Sequence, residues 1–379
     1  MMIYRVGGAV RDQLLGLPVN DIDWVVVGAT AQQMLDKGFQ QVGRDFPVFL
    51  HPKSKQEYAL ARTERKTAPG YTGFIVHADA NVSLEQDLAR RDLTVNAMAQ
   101  DDAGNIVDPY NGRQDLEKKI LRHVTNAFTE DPLRVLRVAR FAARFFPLGF
   151  SLAPETLVLM RQIVVAGELE TLVAERVWTE TDRALAETDP LAYFDVLDDC
   201  AALQRVFPEV AAVWRQDSEP SSGPNARQLL GALMKIDAPF CSAELRFAAL
   251  TMNIKPDALS ALVSRLRVPK SYHQLAQLAQ RSIERMHGFN AMNAEQRLQF
   301  LESMDVLRRP QRIDPLLQLA RCHWQLQNDS ADDYIQAPLF TQAMAAISSV
   351  SSRDLLDQGI KGPAIAEALR GKRLAVLAT

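Results

Sequence analysis

Two aspartates near the start of the chain have the type and spacing of metal ligands. Asp21 and Asp23 lie one residue apart in the run DIDWVVV, which is typical of a strand. Alternate side chains of a strand lie on one face, so we expect the two carboxylates side by side. Such a pair repels itself unless a cation lies between them, and Mg²⁺ prefers carboxylate and phosphate oxygens. The alternative interpretation is two solvent-exposed acids on an edge strand.

The residues before this pair favour a phosphate site. Gly7 and Gly8 stand where a predicted strand, IYRV, leads into a predicted helix, AVRDQLLG. Glycines at such a junction let backbone N–H groups approach a phosphate, and the helix N-terminus adds positive potential. Arg11 is expected to project toward the same place. The spacing is not the G-x-G-x-x-G of dinucleotide-binding folds. Together these residues predict a metal-assisted nucleotidyl-transfer site.

A second polar set lies in the run EDPLRVLRVARFAARF. Arg134, Arg137, Arg140 and Arg144 recur at spacings of three, three and four, which places them on one helical face. Asp131 lies one turn before Arg134. A carboxylate accepts hydrogen bonds and a guanidinium donates them, so this pair can read the amino group and ring nitrogen that cytosine and adenine share. Guanine and uracil present the reverse order and are rejected. A plain solvated helix face is the alternative.

The elements that must position these residues are of two kinds. Short strand signals alternate with helices before Asp131, with Thr30 and Ser83 as predicted N-caps. The signal after Asp131 is helical almost throughout. The sequence therefore predicts an α+β fold, with a small mixed sheet followed by an all-α remainder. A stretch rich in Pro, Ser and Gly, Gln216 to Asn225, is the predicted linker.

Composition limits the class of protein. The 379 residues are 47% hydrophobic and 23% charged, with a net charge of −3. This balance predicts a globular protein without a uniformly basic coat, although local basic clusters remain compatible with it. The opening MMIYRVGG lacks the features of a signal peptide, and we expect no membrane span. Three well-separated cysteines, Cys200, Cys241 and Cys322, predict no disulfide framework or zinc site and a reducing cytoplasm.

Four motifs, in order along the chain, carry a family resemblance. They are GGAVRDQLLG…DIDW, RRDLTVNAMA (Arg90 to Ala99), DPYNG (Asp108 to Gly112) and EDPLRVLRVARF (Glu130 to Phe141). This set resembles the class II tRNA nucleotidyltransferases and bacterial poly(A) polymerases, and is closest to the CCA-adding enzymes of proteobacteria. The resemblance extends to ERVWTE (Glu175 to Glu180). In the family, DPYNG is a flexible turn.

The resemblance implies a fold, an activity and partners. It implies a polymerase-β-like head over residues 1–138, a helical neck over 139–215, a body over 216–305 and a tail over 306–379. It also implies template-independent addition of CCA to the 3′ end of tRNA from CTP and ATP, with Mg²⁺ as cofactor and pyrophosphate as product. The sequence leaves the oligomeric state open. Addition of A only or CC only, and poly(A) synthesis, are the alternatives within the family; a non-catalytic RNA-binding protein is the alternative from another class.

The resemblance also assigns roles to residues. Asp21 and Asp23 are the catalytic metal ligands. Glu130 orients the base-reading Arg134, and Asn96 and Gly7 support the site. The nucleotide-binding residues that it implies are Gly8, Arg11, Arg91, Asp131, Arg134, Arg137 and Arg140.

Further segments carry weaker expectations. The segment Ala61 to Phe74 resembles a loop that helps the family switch from C to A; an ordinary exposed loop is the alternative. Met252 and Asn253 stand where proteobacterial relatives often carry the His-Asp pair of an HD phosphohydrolase, so we expect the HD region to be degenerate. His273, His287 and His323 look too scattered for a ligand set. Two basic clusters are candidate RNA contacts: Arg265, Arg267 and Lys270, and Arg308, Arg309 and Arg312.

Overall fold

A computed structural model describes residues 1–42, 48–66, 74–77, 79–215, 223–236, 241–331, 333–357 and 361–378. The chain forms two compact units, Met1–Pro208 and Glu209–Thr379. We refer to them as unit 1 and unit 2. The division into head, neck, body and tail stays a prediction.

Unit 1 contains the strands and the first helices. The strands are β1 (Met2–Val6), β2 (Asp23–Val27), β3 (Gln40–Val42), β4 (Val48–Leu50), β5 (Glu57–Leu60), β6 (Thr63–Lys66), β7 (Phe74–His77), β8 (Ala99–Gln100), β9 (Ile106–Val107), β10 (Ile120–Leu121) and β11 (Ser151–Leu152). The helices are α1 (Gly8–Leu14), α2 (Ala31–Asp36), α3 (Leu84–Ala89), α4 (Gly112–Glu117), α5 (Leu133–Phe145), α6 (Pro154–Val165), α7 (Ala174–Ala186), α8 (Pro190–Asp199) and α9 (Ala202–Val206). The predicted boundary after residue 138 lies inside α5.

Among the described strands, seven form one mixed sheet in the order β3-β4-β5-β2-β1-β8-β9. Strand β2 lies at its centre, antiparallel to β1 and parallel to β5. Its residues Val25, Val26 and Val27 are buried, since both faces of a central strand are covered. This sheet, followed by helices, confirms the predicted α+β class.

Local sequence signals fix the starts of two helices as predicted. Thr30 caps α2 and Ser83 caps α3, and each forms a reciprocal capping box with the glutamine three residues later, Gln33 or Gln86. The last residue of α3 is Ala89, and its C-cap is Arg90, where the RRD motif begins.

Unit 2 is helical throughout its described part. Its helices are α10 (Pro208–Trp214, beginning at the last residue of unit 1), α11 (Ala226–Met234), α12 (Ala243–Leu250), α13 (Pro256–Leu266), α14 (Lys270–His287), α15 (Ala294–Ser303), α16 (Ile313–Gln327), α17 (Gln336–Ser348), α18 (Ser352–Asp357) and α19 (Ala364–Leu377). Buried aromatic residues such as Phe289, Phe300 and Phe340 form part of its core. Over the described ranges, helices of both units are too short or too polar to cross a bilayer.

Candidate active site

An arginine-rich cleft of about 570 Å³ lies in unit 1. Nine arginines and three aspartates line it, which makes it strongly cationic although the whole chain carries a net charge of −3. A cleft with this excess of cations suits a polyanionic ligand. The lining residues are Gly7, Gly8, Arg11, Asp23, Arg62, Arg90, Arg91, Asp92, Asn96, Asp131, Leu133, Arg134, Arg137, Arg140, Phe141, Arg176 and Arg183.

The cleft brings together ten of the twelve residues that the sequence singled out. The two that do not line it, among the described residues, are Asp21 and Glu130. The carboxylate Asp23 and the pair Asp131 and Arg134 therefore share one cleft, as the nucleotidyl-transfer hypothesis requires. Their roles in binding and catalysis stay predictions.

The turn from β1 into α1 requires a glycine at position 7. Gly7 has a φ of +70°, in the left-handed region. A Cβ atom built on it would lie 2.9 Å from Nη1 of Arg91. The turn is held by the Gly7 N–H, which donates to the Met98 carbonyl at 3.2 Å. Gly7 thus lets the strand end, the helix start and Arg91 meet at one wall of the cleft.

The two aspartates do not share a strand as expected. Strand β2 begins at Asp23, which pairs with Val6, the last residue of β1. Because β1 ends at the Gly7 turn, Asp21 lies in the segment before the strand and pairs with none of the described strands. The alternation argument therefore fails for Asp21. Both residues are exposed, so their oxygens are accessible for a hard divalent cation, which fits a site completed by substrate phosphates.

Arg11 lines the cleft and its guanidinium lies beside Gly8, as expected, but the side chain is buried rather than open to solvent. It is only 3% exposed. Its guanidinium donates to Asp12 at 2.8 Å and to the Asn96 side chain, and it lies over the rings of Phe141 and Phe145. Burial lowers the pKa of Arg11, while Asp12 opposes that shift. Arg11 is thus built into the floor of the cleft.

Asp92 is the hydrogen-bond acceptor that connects Arg137 and Asn96 in the wall of the cleft. It is 6% exposed and accepts hydrogen bonds from Arg137 Nε at 2.8 Å and Asn96 Nδ2 at 2.9 Å. Burial alone would raise the pKa of Asp92, but the charge of Arg137, the hydrogen bond from Asn96 and the charge of Arg134 hold it well below its usual range. The charge of Asp92 in turn raises the pKa of Arg137. Both groups stay ionised at every physiological pH.

The arginines of α5 find their partners on other segments. Arg134 donates to the backbone carbonyls of Ala127 and Arg90. Arg140 pairs with Glu180 of α7 at 2.6 Å, and Arg144 pairs with Asp12 of α1 at 3.0 Å. The solvated-face alternative is therefore wrong for this helix. It joins α1, α3 and α7 around the cleft, and tertiary contacts supply the counter-charges that the local sequence lacks.

Asp131 is held from both sides. One carboxylate oxygen accepts the Leu133 N–H at 3.0 Å, and the other accepts from Arg176 of α7, also at 3.0 Å. Arg176 itself lines the cleft. The Asp131 carboxylate is thus placed in the cleft by the start of its own helix and by a second helix. Glu130 closes the 3-10 helix Asn126–Glu130 that precedes it.

Five further charged residues line the cleft without having been assigned to it from the sequence, besides the apolar Leu133 and Phe141. The five are Arg62, Arg90, Asp92, Arg176 and Arg183. Two signals could have found four of them. Arg90 and Asp92 flank Arg91 in the RRD motif, and Arg176 and Arg183 are two helical turns apart, which places them on one face of α7.

Other expectations meet the structure with mixed outcomes. The segment Ala61 to Phe74 is not all loop, because its described ends form the antiparallel pair β6 and β7. Residues 67–73 lie outside the described residues.

In the DPYNG turn, Asp108 accepts the N–H groups of Gly112 and Arg113 at 2.7 and 2.9 Å. This turn is the start of α4, and its flexibility stays a prediction. The predicted linker lies outside the described residues over 216–222.

The histidine prediction needs correction. His287 and His323, 36 residues apart, meet with 3.0 Å between Nε2 and Nδ1, and the Tyr334 hydroxyl lies 2.9 Å from His287 Nδ1. Burial and His323 lower the pKa of His287 to about 4. The pair is packed, as expected of ordinary histidines, but it is not scattered. Among described residues, no cluster of three or more His, Cys, Asp and Glu suits a metal.

The candidate RNA contacts and the HD region stay predictions. Arg265 pairs with Glu209 at 2.7 Å, which leaves less of its charge for RNA. Arg312 donates to Gln274, and burial, Arg309 and Arg281 lower its pKa. At the degenerate HD position, Asn253 donates to the Pro224 carbonyl at 2.7 Å and Met252 is 8% exposed.

Two family descriptions match segments of unit 1. Residues 3–122 match the "Poly A polymerase head domain", and residues 149–213, which extend slightly past Pro208, match the "Probable RNA and SrmB-binding site of polymerase A". The first of these covers the sheet and the glycine turn. The second covers α7, which contributes Arg176 and Arg183 to the cleft.

Whole-chain relatives agree with these segments. The chain is 48% identical to the "Multifunctional CCA protein" of Thioalkalivibrio sulfidiphilus and 48% identical to a "CCA-adding enzyme" of Pseudomonas putida, each time over 100% of this chain and 98% of the relative. Among solved structures, it is similar in fold to the Thermotoga maritima CCA-adding enzyme complexed with tRNA (TM-score 0.65, 20% identity, 100% of this chain and 87% of that one). It is also similar to a CCA-adding enzyme in complex with ATP (TM-score 0.68, 21% identity, 99% and 86%).

Proposed function

Since the chain belongs to the family of CCA-adding enzymes, which are tRNA nucleotidyltransferases, we propose that it adds C, C and A in turn to the 3′ end of tRNA. The substrates are CTP and ATP, and pyrophosphate is released at each step. The observation that carries this proposal is the single cationic cleft that contains Asp23, Asp131 and Arg134. A carboxylate for metal and a pair for reading a base are within reach of one bound nucleotide.

Nucleotidyltransferases of this family generally depend on a divalent metal ion, and we propose Mg²⁺ held by Asp21 and Asp23. A bound divalent ion neutralises phosphate charge and lowers the pKa of the attacking hydroxyl. The exposed carboxylates fit this group, because hard cations take oxygen ligands and complete their shell with phosphates and water. Asp23 begins a central strand and pairs with Val6 of β1, and the next residue, Trp24, pairs with both β1 and β5, so the backbone at Asp23 is held by the sheet.

The side chains of the cleft do the binding and positioning. Asp131 accepts the exocyclic amino group of C or A, and Arg134 donates to the adjacent ring nitrogen. Uracil or guanine would set donor against donor and leave buried polar groups unpaired, which is the strongest way for a site to reject a ligand. Arg91, Arg137 and Arg140 bind the phosphates or sugar. Since Arg137 and Arg140 already pair with Asp92 and Glu180, these arginines are fixed before substrate arrives.

We also propose that the enzyme acts in the cytoplasm on tRNA. Cys200, Cys241 and Cys322 are free thiols, which suits a reducing compartment. Relatives that add only A, add only CC, or make poly(A) would share this cleft, so the choice among these activities depends on the product.

One set of incubations tests the proposal. Purified protein is given tRNA ending before the CCA, after CC, or after CCA, with each nucleoside triphosphate alone and with CTP and ATP together. We expect two C additions, then one A, and no extension of the complete end. Long A tails on any RNA would indicate a poly(A) polymerase, and addition of U or G as fast as C would refute base reading by Asp131 and Arg134.

A matched pair of variants tests the metal carboxylate. Asp23→Asn should abolish incorporation without changing the melting temperature, because the exposed carboxylate stabilises the fold little. Asp36→Asn is the control, since Asp36 is an exposed acid at the end of α2 and does not line the cleft. Removing divalent ions with EDTA should stop the wild type, and Mg²⁺ should restore it. An Asp23→Asn variant that still incorporates CMP at the wild-type rate would overturn the assignment.

A further inference from the structure

The guanidinium of Arg134 is held by two backbone carbonyls from different parts of unit 1. Nη1 donates to the Ala127 carbonyl at 2.6 Å, and Nη2 donates to the Arg90 carbonyl. Ala127 lies in the 3-10 helix Asn126–Glu130, whereas Arg90 is the C-cap of α3. Arg134 is 7% exposed. The direction of its guanidinium therefore depends on how far apart these two carbonyls are held.

A single hydroxyl links the two segments. The Oγ1 of Thr125 donates to the Ala89 carbonyl at 3.0 Å and accepts the Ala127 N–H at 3.2 Å. Ala89 precedes Arg90, and Ala127 is itself the second acceptor of Arg134. Thr125 thus joins the same two stretches of backbone that Arg134 joins. The side chains of Thr125 and Arg134 are two separate links between the end of α3 and the start of the 3-10 helix.

Apolar packing anchors the 3-10 helix but does not fix its polar groups. Phe128 is fully buried, and its ring centroid lies 5.9 Å from that of His123. This contact holds the segment against unit 1, while Thr125 serves as its N-cap. A ring contact resists displacement but sets no hydrogen-bond direction. The Phe128 N–H, which shares a peptide plane with the Ala127 carbonyl, donates to the Thr125 backbone carbonyl at 3.0 Å and orients that plane within the 3-10 helix. The hydroxyl of Thr125 adds the bond that ties this helix to the backbone at the end of α3, and so helps to set the distance between the two carbonyls that hold Arg134.

We propose that Thr125 is a positioning residue that determines base specificity through Arg134. The inference rests on the proposed function. A guanidinium fixed at both ends must present its donor to the ring nitrogen of the base; cytosine accepts it and uracil, which carries N–H there, repels it. If the Ala127 carbonyl is held less firmly, the Arg134 guanidinium can turn away from the uracil N–H. The free-energy penalty for binding UTP then falls by more than the binding of CTP weakens, so the enzyme discriminates less between the two.

Three variants isolate the hydroxyl. Thr125→Val removes it and keeps the shape, and Thr125→Ser keeps it. Thr129→Val is the matched control, because the Thr129 hydroxyl lies in the same 3-10 helix but donates only to Asn126 within it, at 2.9 Å. The measurements are kcat/KM for addition of a single CMP or UMP to tRNA lacking CCA, together with the melting temperature. A shared loss of rate would indicate a structural effect, whereas a changed ratio indicates specificity.

We expect Thr125→Val to lower the CTP-to-UTP ratio of kcat/KM about tenfold, the size expected for one hydrogen bond that orients a charged donor. Thr125→Ser should stay within about twofold of wild type, and Thr129→Val should match wild type. If Thr125→Val does not fold, Thr125→Cys, whose thiol bonds weakly, should give an intermediate ratio.

Other results overturn the proposal. A wild-type ratio in Thr125→Val or Thr125→Cys, an equal fall in Thr129→Val, or failure of Thr125→Ser to restore the ratio would each do so. The wild-type enzyme separates this proposal from the proposed function. If wild type adds no CMP to tRNA, the proposed function fails before any variant is compared; if it discriminates and Thr125→Val does so equally, only the role of Thr125 fails.

Discussion

The ion pair between Asp92 and Arg137 should contribute strongly to the stability of unit 1. We consider Arg137→Gln, Asp92→Asn and the double variant. Asp92 is 6% exposed and Arg137 Nη2 lies 2.7 Å from its carboxylate. Arg137→Gln leaves the buried carboxylate with hydrogen bonds from the Asn96 side chain and the Leu93 N–H, neither of which carries a charge.

The magnitude follows from burial. Breaking a fully buried pair costs about 3–5 kcal/mol, because it leaves an uncompensated charge. The Arg137 side chain is 35% exposed, so water screens part of this cost and we expect about 3 kcal/mol for Arg137→Gln. Asp92→Asn should cost about 2 kcal/mol, since Arg137 keeps Glu180 at 3.7 Å. The double variant should cost about 3 kcal/mol, which gives a coupling energy of about 2 kcal/mol.

Urea unfolding of the full chain, followed by tryptophan fluorescence, measures these free energies. Trp24 and Trp178 report on unit 1, and hydrogen exchange of α5 amides gives an independent value for the same unit. The stabilisation has a defined pH dependence. Because the pKa of Asp92 is lower folded than unfolded, the pair contributes fully above about pH 4 and its contribution is lost as the pH falls below that. Asp92→Asn should flatten this acid limb.

Additive single-variant costs would refute the reasoning. If the double variant loses the sum of the two single losses within about 0.5 kcal/mol, the two side chains do not interact, whatever their distance. Losses below about 1 kcal/mol for Arg137→Gln would equally show that water already satisfies the carboxylate.

Two shorter predictions concern other positions. Gly7→Ala should lower the melting temperature of unit 1, because a left-handed φ and the contact with Arg91 both oppose a Cβ. Gly8→Ala should not, because its φ is ordinary and a Cβ there would lie 3.4 Å from Arg11 Nη2, about van der Waals contact. Equal thermal shifts would contradict this. In unit 2, burial lowers the pKa of His287 from about 6.5 in the unfolded chain to about 4 in the folded chain. Between these two pH values the unfolded chain binds a proton that the folded chain does not, so the free energy of unfolding should fall as the pH drops from about 6.5 to about 4. His287→Gln should flatten that fall in urea titrations between pH 7 and 4, and an unchanged slope would exclude His287 as its source.

Local signals predicted the elements well and the contacts between them poorly. The caps at Thr30 and Ser83 are visible in the sequence because the serine or threonine and its glutamine partner are three residues apart. The strand that should have included Asp21 begins two residues later, because its length is set by where β1 turns at Gly7. A strand's end depends on its neighbour, which local alternation does not report.

The candidate site shows the same limit. Type and spacing predicted a shared site for Asp23, Asp131 and Arg134, and the three residues do line one cleft. The partners that hold them were not predictable, because Arg134 bonds to backbone carbonyls, which every residue carries, and Asp131 bonds to Arg176, 45 residues later. The meeting of His287 and His323 was missed for the same reason.

During synthesis of the chain, the strands of the sheet are all available before the helices that complete the cleft. Strand β1 pairs with β8 only when Gln100 is available, and Arg140 of α5 meets Glu180 only 40 residues after it has itself been made. The Asp189 N–H then bonds the Ala143 carbonyl. A nascent chain that ends before Glu180 thus carries an α5 whose Arg140 still lacks its counter-charge, close to ribosomal RNA. Proteolysis of stalled chains should show α5 protected only once the chain extends beyond Asp189.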